Sequence, residues 1–187
     1  MSRRFPQLTQ DQLNEQQKPL ADQVMKVSSV GIGGPYNLLL RSPVLGQRLF
    51  DLFDYLRWNT SLPPRLSEMA ILITARQWTA QYEWFAHYPL AIKGGLDPQI
   101  LSAIAQGKRP DNMKDDEAAL YDLAMALYRD KKVSDPVYQA ALEKFGERGI
   151  MDIIGIIGYY DIASMTLITM QATAPNDSVP PLPVLSK

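Results

Sequence analysis

The sequence predicts an all-α protein built as a single helical domain, and three observations predict it. Apolar residues recur at three- and four-residue spacings between breaks made of proline, glycine and small polar residues. No segment reads as a convincing strand, and no repeat period is present. The last long helical segment is apolar on more than one side. A chain of 187 residues, 46% hydrophobic and 21% charged, is long enough to bury one real core.

The elements follow in order. Thr9-Gln10-Asp11-Gln12 has capping-box spacing and is expected to open a first helix towards Val27. A loop of small residues, 28–35, comes next. Ser42 is then an N-cap with Pro43 at the first helical position. Val44, Leu45, Leu49, Leu52, Phe53 and Leu56 make the apolar stripe of that helix. Pro63-Pro64 starts another, with Met69, Leu72, Ile73 and Arg76 at helical spacing. A turn near 77–81 leads into a helix carrying Glu83 and His87, which Gly94-Gly95 ends. Asp97-Pro98 opens a short helix closed by Gly107 and the polar loop 108–114. Asp115 caps a helix to about Arg129, and Ser134 with Pro136 starts one that stops by Gly146.

Residues 150–173 form the long apolar helix, and a proline-rich tail, 175–187, follows, so the helical domain is expected over 1–174. Ile153, Ile154, Ile156, Ile157, Ile162, Met165, Leu167 and Ile168 exceed a single stripe. Such a helix is central in its own core or buried against another subunit, which predicts a homo-oligomer. Gly155 and Gly158 permit a close helix approach there.

Charge and composition exclude several classes. The net charge is −1, so nothing draws the chain electrostatically to nucleic acid or to an anionic membrane. Ser2-Arg3-Arg4-Phe5 is a short basic start, but Pro6, Gln7 and Gln10 follow it, which makes a poor signal peptide. No apolar run looks long enough to span a bilayer, and a cytoplasmic protein is expected. With no cysteine, the chain has no thiol nucleophile, disulfide or thiolate metal site.

His87 is the only histidine, and Glu83 lies four residues before it on the same helical face. Glu68 is fifteen residues further upstream. Histidine exchanges protons near neutral pH, so this trio is the candidate proton-transfer site; a chance Glu–His pair on a solvated helix is the plain alternative. One histidine argues against a zinc site, and no metal and no cofactor are expected.

The run from Leu62 to Leu96, with Glu68, Arg76 and Tyr82-Glu83-Trp84-Phe85-Ala86-His87, resembles the carboxymuconolactone decarboxylase family, which also holds the alkylhydroperoxidase D-like thiol peroxidases. Further landmarks are the stretch from Gly34 to Pro43 and Gly158-Tyr159-Tyr160-Asp161-Ile162-Ala163, so the resemblance covers about 34–169. It implies an alkylhydroperoxidase D-like helical fold assembled as a trimer or hexamer. The peroxidase branch needs a Cys-x-x-Cys pair, whose positions by register to His87 are Ala80 and Glu83 here, so thiol peroxidase activity is excluded.

Glu83-Trp84 before His87 resembles instead the decarboxylase side, and that resemblance implies a cofactor-free lyase acting on a small anionic lactone. In that reading His87 donates the proton, Glu83 exchanges protons with it and Glu68 orients the imidazole. Arg41 and Arg76 are the candidates to clamp substrate carboxylates, with surface or intersubunit ion pairs as the alternative. Tyr36, Trp84 and Tyr159 are candidate pocket walls, although aromatics at helical spacing are more often core. A lactone isomerase or hydrolase on the same site, and a non-catalytic oligomeric scaffold, are the rival readings.

Overall fold

The structure, a computed structural model, describes residues 4–28, 31–33 and 35–185. Ser2 and Arg3 of the basic start, Ser29, Val30 and Gly34 of the small-residue loop, and Ser186 and Lys187 of the tail lie outside the described residues. Among the described residues there is no strand. The α-helices are α1 (Lys18–Val27), α2 (Tyr36–Leu39), α3 (Pro43–Trp58), α4 (Pro64–Trp78), α5 (Gln81–Lys93), α6 (Pro98–Ala105), α7 (Asp115–Met125) and α8 (Asp135–Thr169).

α4 is the axis of the fold. Every residue from Leu66 to Arg76 is buried, and α5, α6, α7 and α8 all pack on it. Thr79, in the left-handed region at φ 53°, ends α4, and its N–H and that of Ala80 return to the carbonyls of Arg76 and Ala75. The chain then doubles back as α5, which reaches Arg65 again at Gly94. This antiparallel hairpin holds the site described below.

α8 bends at Gly146, whose φ of 64° and ψ of 177° only glycine adopts readily, so 135–145 and 147–169 are two helical pieces, as the glycine predicts. Ile153, Ile156, Tyr160 and Leu167 are buried along the second piece. Contrary to expectation, α8 is long and apolar enough to cross a bilayer by length and composition alone. The two carboxylates in its apolar second piece beyond Gly149, Asp152 and Asp161, are held by the protein. Tyr55 Oη, Ser61 N–H and Ser61 Oγ donate to Asp152 at 2.8, 2.8 and 2.7 Å, and Trp78 Nε1 and Tyr128 Oη donate to Asp161 at 2.5 and 2.7 Å. It is therefore a core helix of this domain.

Two expected boundaries are corrected. The first helix is not continuous from Thr9. A 3₁₀ turn at Gln10–Gln12, closed by Thr9 N–H on the Gln12 side chain, is separated from α1. Asn14 Oδ1 accepts from the N–H groups of Gln16 and Gln17, and Pro19 fixes the start of α1 just beyond. α7 also stops short of Arg129, because Ala126–Asp130 is a π-helical turn.

Residues 175–185 are strapped onto the same core. Val179 and Leu182 are buried within it. Gln81 grips Leu182 twice, its amide donating to the Leu182 carbonyl at 2.8 Å and its oxygen accepting the Leu182 N–H at 2.9 Å. Trp84 Nε1 donates to the Pro180 carbonyl at 3.1 Å, and Arg76 donates to that of Pro183 at 2.7 Å.

Candidate active site

Glu68 on α4 faces His87 and Glu83, one turn apart on α5. His87 Nδ1 lies 2.6 Å from Glu68 Oε2, and Nε2 lies 3.3 Å from Glu83 Oε2. Arg57, in the last turn of α3, donates to the other Glu68 oxygen at 2.6 Å. Tyr160 of α8 stands edge-on to the imidazole, with ring centres 5.0 Å apart. Four helices thus meet on one histidine, and Glu68, Glu83 and His87 are all buried.

The charge states follow from these contacts. Burial alone would raise the Glu68 carboxyl, but the hydrogen bonds and charges of His87 and Arg57 outweigh it and hold it below the usual range. An ionised carboxylate only accepts, so Nδ1 carries the imidazole proton and Nε2 is left facing Glu83. Burial pushes the Glu83 carboxyl up, and the neighbouring Glu68 charge adds to the effect against the opposing His87 and Arg57 charges. A Glu83 carboxyl held above its usual range thus stands 3.3 Å from Nε2, placed to exchange a proton with it. Burial likewise raises the Tyr159 and Tyr160 phenols, which stay protonated.

A pH test follows. The folded-state pKa of Glu83 lies above the ordinary 4.5, so folding favours its protonated form. That contribution is complete below the unfolded value and is lost as pH rises through the raised folded value. Glu83→Gln keeps the shape without titrating, so its stability relative to wild type is expected to rise with pH. Urea melts at about pH 5 and about pH 8 check this, and an unchanged difference between the two proteins would contradict it.

Glu83 and His87 open into a cavity of about 230 Å³. Its walls are otherwise aromatic and aliphatic, led by Tyr36 and Leu39 of α2, Leu49 and Phe53 of α3, and Tyr159 and Ile162 of α8. Phe53 links the two tyrosines, edge-on to Tyr36 at 5.8 Å and tilted against Tyr159 at 6.0 Å. Among the described residues no Arg or Lys lines the cavity. Nor does any set of three His, Asp or Glu among them present donors to one metal position, since the carboxylates and imidazole here face each other.

Of the residues singled out in the sequence, Glu68, Glu83 and His87 converge, and Tyr36 and Tyr159 line the cavity. Trp84 lies elsewhere, buried against Tyr88 and bonded to the tail. Arg41 is exposed and donates to the Pro6 carbonyl. Arg76 is buried and donates to the Ala105 and Pro183 carbonyls and to Thr79 Oγ1, so what it clamps is the chain's own backbone. The cation of the site is instead Arg57, which sequence reasoning missed. The signal was its four-residue spacing from Phe53, which puts it on the cavity-facing side of α3. Tyr160 was passed over beside Tyr159.

No family model matches the chain, and no curated protein matches it in sequence. Solved structures do match. An uncharacterised peroxidase-related protein from Ralstonia eutropha JMP134, an alkylhydroperoxidase AhpD core, is 18% identical with a TM-score of 0.75, covering 94% of this chain and 93% of its own. A protein of unknown function from Agrobacterium tumefaciens, a putative antioxidant defence protein AhpD, is 16% identical with a TM-score of 0.66, covering 75% of this chain and 97% of its own. The chain therefore has the AhpD-like all-α fold. Peroxidase chemistry through a thiol is closed to it, because it has no cysteine.

Proposed function

We propose that the chain is a cofactor-free acid–base enzyme of the carboxymuconolactone decarboxylase type. It moves a proton to or from a carbon conjugated with the carbonyl of a small lactone or related unsaturated acid. One observation carries the reading: the buried series Arg57–Glu68–His87–Glu83 ends on a mainly apolar cavity. An inert scaffold gains nothing from two buried carboxylates, which are costly to desolvate.

The residues divide the work by their surroundings. Arg57 keeps Glu68 ionised, and Glu68 fixes the tautomer of His87. Nε2 then accepts a proton from carbon while Glu83 turns its own proton to the enolate oxygen. If carbon dioxide leaves instead, the dienolate carbon takes the proton of Glu83, which water restores. The test is carbon dioxide release and ultraviolet change on γ-carboxymuconolactone, together with deuterium uptake at carbon in D₂O across a lactone panel. Absence of any carbon-bound exchange would sink the proton-transfer reading.

α3 and α8 leave Val44, Trp58, Met151, Met165 and Ile168 exposed, Val44 at 78%, Trp58 at 67% and Met151 at 63%. We propose that further copies of the chain cover these apolar side chains in a trimer or hexamer. Light scattering is expected to give a multiple of 21.0 kDa, and Met151→Asp to lower it. A monomeric mass for the unaltered protein would refute the assembly.

A further inference from the structure

We infer that the substrate of this site is an uncharged β,γ-unsaturated lactone or ketone, and that the reaction is its isomerisation to the conjugated α,β isomer without loss of carbon dioxide. The inference rests on the acid–base reading above and adds the substrate class to it.

Among the described residues a carboxylate in this cavity would find no cation, only hydroxyl and carboxyl groups. Arg57 is the nearest guanidinium, but it stands behind Glu68, and its charge is matched by that carboxylate at 2.6 Å. Arg41 and Arg76 are bonded to backbone carbonyls away from the cavity. The acidic group facing the ligand is itself a carboxyl, which a substrate carboxylate would crowd. Buried charge without a partner is strongly disfavoured, whereas an apolar ring meets Leu39, Leu49, Phe53 and Tyr159. At about 230 Å³ the cavity suits a small ring compound.

The chemistry closes on the groups present. His87 Nε2 takes a proton from the α-carbon between the carbonyl and the double bond. The electron pair of that C–H bond forms a dienolate, whose oxygen accepts a hydrogen bond from protonated Glu83. His87 then returns the proton to the γ-carbon, the carbonyl re-forms, and the double bond stands conjugated with it. One C–H bond breaks and one forms, with no oxidant and no leaving group.

The test compares α-angelica lactone, a neutral β,γ-unsaturated γ-lactone, with the same ring bearing a carboxymethyl group in place of the methyl. Both are followed by the rise in ultraviolet absorbance of the conjugated product and by deuterium at the γ-carbon in D₂O. The neutral compound is expected to be favoured at least about tenfold in kcat/KM. Leu49→Arg, which places a cation on the wall, is expected to move that ratio towards the carboxylate. Equal or faster turnover of the carboxylate, or carbon dioxide release from γ-carboxymuconolactone outpacing isomerisation, would overturn the substrate class and leave the proton-transfer reading intact. No carbon-bound exchange in any compound, from protein shown to be folded by circular dichroism, would overturn both.

Discussion

Replacing His87 with glutamine is expected to lower kcat on an accepted lactone by about 10²–10⁴-fold, the usual worth of one positioned acid–base group. Glutamine spans a similar distance and can still donate to Glu68 and meet Glu83, so packing and KM should change little. What it cannot do is accept a proton from carbon and return it. The loss should fall on kcat, and the deuterium at carbon should fall with it. Retention of wild-type turnover in the folded variant would remove His87 from the chemistry and shift the proton-carrying role to Glu83.

Arg57→Met is expected to cost about 3–5 kcal/mol of stability, because it leaves Glu68 as a buried charge with a single partner. At roughly 2–4 °C per kcal/mol for a chain of this size, the melting temperature should fall by roughly 6–20 °C. The loss should shrink on acidification. Glu68 is held below the ordinary 4.5 in the folded protein, so its favourable contribution is present above that value and fades as pH falls through the lowered one. Adding Glu68→Gln should recover part of the loss, since the two residues form one coupled pair. A cost below about 1 kcal/mol, or full additivity in the double variant, would show that the pair does not hold the site.

Much of this was legible in the sequence, for identifiable reasons. Helix starts at Pro43, Pro64, Pro98 and Pro136 and the break at Gly146 are local decisions of backbone geometry, and they are read directly from residue type. The convergence of Glu83 and His87 needed only the helical period. That of Glu68 is a matter of how the α4–α5 hairpin folds back, and the family resemblance supplied it. Arg57 had only its four-residue spacing from Phe53 to mark it. It lies next to the exposed Trp58 at a helix end, where arginine normally faces water, and only its ion pair with Glu68 of α4 turns it inward. Arg76 misled for the mirror-image reason. Its place on the same helix as Glu68 suggested a shared site, but eight residues of helix carry it to the far end, where the tail needs a donor.

The strap over α5 gives the molecule two tiers of stability. Among the described residues no backbone-to-backbone hydrogen bond ties 175–185 to the body; side chains of Gln81, Trp84 and Arg76 do so. Such a segment lifts away at the cost of a few bonds and the burial of Val179 and Leu182, well short of global unfolding. The Leu182 amide should accordingly exchange with solvent long before the amides of α4. Between those two events α5 would be uncovered on its Trp84 side while Glu68 still holds His87 from the other, so the site can loosen from outside without the core that defines it coming apart.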